Sequence, residues 1–340
     1  MSENKKWYRL SGDEGDVVIS TRVRLARNLN GIPFPAGMTL EQKQTVIRTV
    51  ASALREGGEG ERFRLVEMGA LPPREALSMV ERHLVSPEFS RAGEGSALLL
   101  TGEEDVAVMV NEEDHLRLQV MRSGLDLDGA YREADRLDTL LDSRLHFAFD
   151  SRLGYLTQCP TNLGTGMRAS IMLHLPALQE RGAIQQLAVT VSKLGLTIRG
   201  MYGEGSKPQG AIYQLSNQVT LGISEQEAID NLKGIAAQII REERAGREQW
   251  RQNPRFEDMV WRSLGLLRTA RLLTGDEFMT LISNLRLGIA VGVLPELSLD
   301  TAGGLIGDVQ SATLMAAAGR DLEPAERDAL RAQVVRERLA

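Results

Sequence analysis

Five arginines and two glutamates stand in stretches whose neighbours could turn them toward a ligand. Thr21-Arg22-Val23-Arg24 follows the apolar Val17-Val18-Ile19. Alternation along a strand there puts Arg22 and Arg24 on one face, where two guanidiniums repel unless an anion lies between them. Asn111-Glu112-Glu113-Asp114-His115-Leu116-Arg117 packs three acids, a histidine and an arginine between two apolar runs. Cys159–Arg168, CPTNLGTGMR, opens on the chain's only cysteine. Its Gly164 and Gly166 permit positive φ and a close approach of backbone to an oxyanion, Asn162 and Thr165 add polar groups, and successive N–H groups in such a loop make an anion nest. Arg168 then stands where a helix could begin. The loop lacks the Gly-Lys-Ser/Thr of a Walker sequence and the third glycine of a dinucleotide fingerprint. Finally, Arg199-Gly200 leads into Met201–Pro208, where glycines flank Glu204 and the segment reads as a lid. Arg22, Arg24, Arg117, Arg168 and Arg199 can neutralise a nucleoside triphosphate during phosphoryl transfer. Glu113 and Glu204 are ill suited to phosphate and suit a cationic, planar, two-nitrogen nucleophile instead.

Composition narrows the classes. The chain has 340 residues, enough for one large domain or two ordinary ones, and 42% hydrophobic residues, enough for a real core. A net charge of −6 argues against a general nucleic-acid binder. One cysteine excludes an internal disulfide and a cysteine-based metal cluster. The start, MSENKKWYRL, has no apolar signal core, and no run approaches the ~18 apolar residues of a membrane span. The expectation is a cytoplasmic protein with no membrane and no nucleic-acid partner.

The elements that would position these residues follow from periodicity. Met38–Glu56 reads as a helix, with Thr39 as cap and Gln42 three residues on. A second helix starts near Pro72-Pro73 and runs to about Leu84. Ala97–Leu100, Asp105–Val110 and Leu116–Met121 are short apolar runs between turns and read as antiparallel strands. Leu125–Phe149 returns to helical spacing. Strands are expected at Gly154–Thr157, Leu196–Tyr202 and Ala211–Asn217, with a helix near Ala183–Leu194. From Ser224 the pattern is nearly all helical, broken at Asn253-Pro254 and Leu294-Pro295. The fold class is α+β, an antiparallel sheet flanked by helices: a catalytic domain over residues 1–250, then a helical domain over 251–340.

With these motifs in this order, the sequence resembles the phosphagen (guanidino) kinase family, and in particular its bacterial protein-arginine kinase branch of the McsB type. The resemblance implies MgATP as co-substrate, with Mg²⁺ held mainly by phosphate oxygens. It implies that Arg22, Arg24, Arg117, Arg168 and Arg199 grip the phosphates beside Asn162, Gly164, Thr165 and Gly166, and that His115 lies near the base or ribose. Glu113 and Glu204 would be the acids that hold the guanidinium, and Cys159 the reactive cysteine beside it. Small-molecule guanidino kinases carry a helical domain ahead of the paired arginines, whereas 21 residues precede Arg22 here. The expectation is an open pocket that admits arginine on a protein. The resemblance further implies an allosteric phosphoarginine-binding pair, Arg327 and Asp328, in the helical domain. It also implies a homodimer, an activator protein, the Clp protease machinery as partner, and a role in protein quality control under stress. The alternatives are a small-molecule guanidino kinase, or a phosphoarginine-binding adaptor without catalysis.

Overall fold

A computed structural model describes residues 6–201 and 208–340. In chain order the elements are β1 (Val18–Arg27), α1 (Leu40–Glu56), β2 (Phe63–Glu67), α2 (Pro73–Glu81), β3 (Ala97–Thr101), β4 (Val106–Val110), β5 (Leu116–Ser123), α3 (Leu127–Leu145), β6 (Phe149–Asp150), β7 (Gly154–Tyr155), β8 (Met167–His174), α4 (Pro176–Glu180), α5 (Ile184–Ser192), β9 (Leu196–Gly200), β10 (Ile212–Asn217) and α6 (Glu225–Arg251). Five helices follow: α7 (Pro254–Thr269), α8 (Gly275–Ala290), α9 (Leu299–Asp308), α10 (Ser311–Ala318) and α11 (Pro324–Leu339). Eight strands form one sheet in the order β2-β3-β4-β5-β1-β8-β10-β9, and every pairing is antiparallel. No described helix is long and apolar enough to cross a membrane.

Side-chain alternation divides this sheet into two unlike faces. On one face Val23, Leu25, Leu118, Val120, Ala169, Ile171 and Leu215 are essentially sealed from solvent. Val50 and Leu54 of α1, Leu137 and Leu141 of α3, and Leu232 and Ile239 of α6 pack into the same core. The other face is polar at its centre and apolar at both ends. At one end Leu98, Leu100, Ala107 and Met109 join Ala76 and Met79 of α2 and Phe89. At the other end Met172 and Ile212 enter the core of the carboxyl-terminal helices, with Phe256, Phe278 and Leu285. The helical region is thus built onto the sheet. The Glu81 carboxylate at the end of α2 strengthens that union by accepting the Ala312 and Thr313 N–H groups at the start of α10, at 2.9 and 2.7 Å. There it satisfies orphan helix donors and complements the dipole.

Some elements differ from the sequence expectation, among them the short helix α4 and the strand β6, which starts inside the stretch read as helical. Arg168 does not open a helix but lies on strand β8. Nearly all of Met167–His174 is buried, because one face packs on the helices and much of the other on neighbouring residues, so no two-residue alternation marks it as a strand. The edge strand β2 was not anticipated. By contrast, Thr39 and Gln42 form the expected reciprocal cap of α1.

One buried ion pair ties the sheet to α3 and to the loop beside the polar face. Arg27 at the end of β1 donates from Nε and Nη2 to Asp138 of α3 at 3.1 and 2.8 Å, and from Nη1 to the Thr165 carbonyl at 3.0 Å. Its guanidinium lies 3.4 Å from the centre of the Tyr155 ring. Burial pushes the Asp138 carboxyl up, against the pull of Arg27. Arg27→Ala would leave that carboxylate buried and unpaired, so we expect a loss of about 3–5 kcal/mol in urea unfolding. A loss below about 1 kcal/mol would contradict this role.

Candidate active site

The polar centre of the sheet gathers arginines from adjacent strands. Arg22 and Arg24 alternate onto the same face of β1. Arg168 of β8 lies directly across from Arg24, and Arg117 of β5 across from Ala26. Arg199 of β9 lies opposite Gln214. All five line one open cavity of about 1060 Å³, counting its mouth, together with Ser86, His83, Gln214 and Ser216. Arg22 donates to Ser170 Oγ at 3.3 Å and Gln214 Oε1 at 2.8 Å. Burial, then Arg117, pushes the Arg22 guanidinium down to about 10. Arg24 is depressed further, by burial and then by Arg22, Arg117 and Arg168, with only Glu112 opposing. Cations so placed call for a polyanion between them.

A second cavity opens from the first. It shares Arg24, Arg117 and Arg168 and adds Glu113, Cys159, Thr161, Asn162 and Gly166, in about 730 Å³. Arg117 stands at the junction. Its Nη1 binds Glu112 Oε2 at 2.6 Å, and its Nη2 lies 3.4 Å from Glu113 Oε2. Burial pushes the Glu113 carboxyl up, the Asp114 charge adds to this, and Arg117 and a hydrogen bond with Cys159 pull the other way. A carboxylate raised in this way is a better proton acceptor. The Cys159 thiol is free, and its sulfur lies 3.1 Å from Thr161 Oγ1.

The turn between β4 and β5 sets these positions. Asn111 takes φ +60° there, and its N–H donates to the His115 carbonyl at 2.9 Å. The next acids diverge. Glu112 pairs with Arg117, Glu113 faces the second cavity, and Asp114 is buried. Asp114 Oδ1 accepts from Asn28 Nδ2 at 2.6 Å and from the Gln158 N–H at 2.8 Å. That one carboxylate therefore joins β1, the acidic turn and the cysteine loop.

Several expected residues lie elsewhere. His115 is fully buried, with Nδ1 accepting from the Leu29 N–H at 3.0 Å and Nε2 at 2.8 Å from the Pro33 carbonyl. Both ring nitrogens are used by backbone, so its expected place at the base or ribose is corrected to a structural one. Gly164 and Thr165 are also corrected. The Thr165 N–H donates to the Thr220 carbonyl at 2.9 Å, and a Cβ on Gly164 would lie 2.0 Å from that same oxygen. Gly164 is a close-packing glycine rather than part of a phosphate nest, and of the four expected nest residues, Asn162, Gly164, Thr165 and Gly166, Asn162 and Gly166 border the cavity. Glu204 falls outside the described residues. Arg327 and Asp328 both lie on α11, where Asp328 accepts from the buried Arg331 at 2.7 Å. His83 was missed by sequence reasoning. It borders the arginine cavity at φ +60°, its carbonyl accepting from Gln119 Nε2 at 2.8 Å, and burial, then Arg22, pushes its imidazole down to about 3. In the sequence it is one histidine after a helix, with no motif around it.

The cage makes a direct prediction. Each charge-assisted bond to an anion is worth roughly 1.5–3 kcal/mol, so Arg24→Ala should weaken binding of inorganic triphosphate about tenfold or more in calorimetry. Equal affinity in the variant would show that the cavity is not the anion site.

Two family models match the chain: ATP:guanido phosphotransferase, C-terminal catalytic domain, over residues 45–246, and protein-arginine kinase McsB C-terminal domain, over residues 253–340. The chain is 43% identical to the protein-arginine kinase of Halothermothrix orenii, across 98% of this chain and 96% of that one. It is 45% identical to the protein-arginine kinase of Caldanaerobacter subterraneus subsp. tengcongensis, across 94% and 96%. Among solved structures, the duplicated taurocyamine kinase of Schistosoma mansoni with bound transition state analog components superposes with a TM-score of 0.61 at 26% identity, over 68% of this chain and 33% of that one. Lombricine kinase shares the fold, with a TM-score of 0.61 at 24% identity over 72% and 71%. The sequence similarity extends over nearly the whole length of the chain, and the chain belongs to the protein-arginine kinase family of ATP:guanido phosphotransferases.

Proposed function

We propose that this chain transfers the γ-phosphoryl group of ATP to a guanidino nitrogen of arginine side chains in proteins. The observation that carries the reading is the junction of two unlike cavities through Arg24, Arg117 and Arg168: arginine-lined on one side, Glu113 and Cys159 on the other. The arginine cavity takes the triphosphate of ATP. A Mg²⁺ arriving with the nucleotide would be held mainly by phosphate oxygens and water. The guanidinium sits against Glu113, with Glu204 as its second acid. The attacking nitrogen forms a P–N bond as the bridging P–O bond to ADP breaks, and its proton passes to the Glu113 carboxylate. The arginines neutralise charge on the transferring group, and fixed in-line placement supplies much of the rate. Cys159 lies against the guanidinium as a polarising group. Arg327 and Asp328 as a phosphoarginine-reading pair, an activator, the Clp machinery, a stress-response role, a homodimer and a cytoplasmic location complete the reading, and the family resemblance supports them.

The acceptor class is testable. With MgATP and an unfolded protein, acid-labile phosphoarginine is expected by mass spectrometry, at a kcat/KM far above that for free arginine or creatine. Efficient transfer to a free metabolite with none to protein would favour a small-molecule guanidino kinase. The reaction also needs Glu113 ionised. Its raised pKa means that kcat/KM falls with acidification at a pH above the ordinary glutamate range near 4.5. An acid limb at or below that value would remove Glu113 from the role of base.

A further inference from the structure

A third cavity lies beyond the acid pocket. It encloses about 860 Å³, counting its mouth, and shares Glu113 and Arg117 with that pocket. Phe89 and Ala92 supply apolar lining, and Glu88, Asn111 and Gln158 supply polar groups. Through Glu113 it adjoins the pocket in which the guanidinium of the proposed reaction would sit.

Its chemistry is one-sided. Glu112, Glu113 and Glu88 border it, and its single cation, Arg117, is already bound by Glu112 at 2.6 Å and approached by Glu113 at 3.4 Å. Glu88 is exposed and makes no ion pair among the described residues. A second observation points to a hydrogen-bonding occupant. Asn111 is 3% exposed and donates from Nδ2 to the Lys43 and Gly95 carbonyls at 3.0 and 2.8 Å, yet its buried Oδ1 has no partner among the described residues. Buried polar atoms are seldom left so, and a small shift of this wall residue would present the acceptor to a peptide N–H or an ammonium in the cavity. Apolar lining beside carboxylates also fits lysine, whose stem packs on carbon while its head meets the acid. An anionic segment would face Glu88 and Glu113 together.

We propose that this cavity receives the polypeptide flanking the target arginine and favours basic residues there, with Glu88 as a specificity-determining side chain. The assignment rests on the phosphotransfer reading above. Three peptides of equal length, each with one central arginine flanked by lysine, alanine or glutamate, test it at saturating MgATP. For the wild-type chain the lysine peptide should exceed the glutamate peptide about fivefold in kcat/KM, as expected for one or two partly exposed charge pairs, and chiefly through KM. That ratio should shrink toward one at roughly 0.5 M salt. Glu88→Gln should lower it, and Glu88→Lys should bring it to about one or below. Equal turnover of all three peptides, or a preference that survives Glu88→Lys, would overturn the assignment while leaving the phosphotransfer reading intact. Transfer to none of them would remove both.

Discussion

Guanidinium groups crowded on one face of a sheet repel one another, and most of this structure accommodates that repulsion. Arg22, Arg24, Arg117 and Arg168 come from three neighbouring strands and share a cavity floor. Arg24 feels three of its neighbours as like charges and a single carboxylate as relief. An apolar cover over these side chains would make the charges more costly still. The molecule instead places α1, α3 and α6 on the opposite face and leaves this one open between two apolar walls. The cavity is therefore a consequence of where the charges stand, and a polyanion is the ligand that lowers their energy.

Three consecutive acids show how a turn divides labour. Glu112 offsets Arg117, Glu113 faces the neighbouring pocket, and Asp114 goes inward to bind Asn28 and the backbone before Cys159. The left-handed Asn111 starts this divergence, a conformation asparagine tolerates better than most residues. The Glu113 carboxylate and the Cys159 thiol are thus held by backbone and the buried Asp114 carboxylate, a rigid support for the acid and thiol of the proposed reaction.

Much of this was legible in the sequence because it depends on local spacing. Arg22 and Arg24 share a face through strand alternation alone, and the caps of α1 are written in Thr39 and Gln42. What was not legible depends on contacts between distant residues. Gly164 is a glycine because the Thr220 carbonyl presses on it, and His115 is buried because Leu29 and Pro33 use its ring. Burial on both faces removed the alternation that would have marked β8. His83 reaches the cavity through a left-handed backbone and a hydrogen bond from Gln119, neither of which leaves a motif.

In the proposed reaction the arginine cavity and the Glu113 pocket are two halves of one site with separable duties. ATP affinity and phosphoryl transfer, measured side by side on Glu113→Gln, test it most directly. The account predicts that calorimetric affinity for MgATP stays within about threefold of wild type while transfer to protein arginine falls by at least about a hundredfold, the lower end of what a positioned general base contributes. A variant that transfers phosphate at the wild-type rate, or that loses nucleotide binding as severely as transfer, would contradict it.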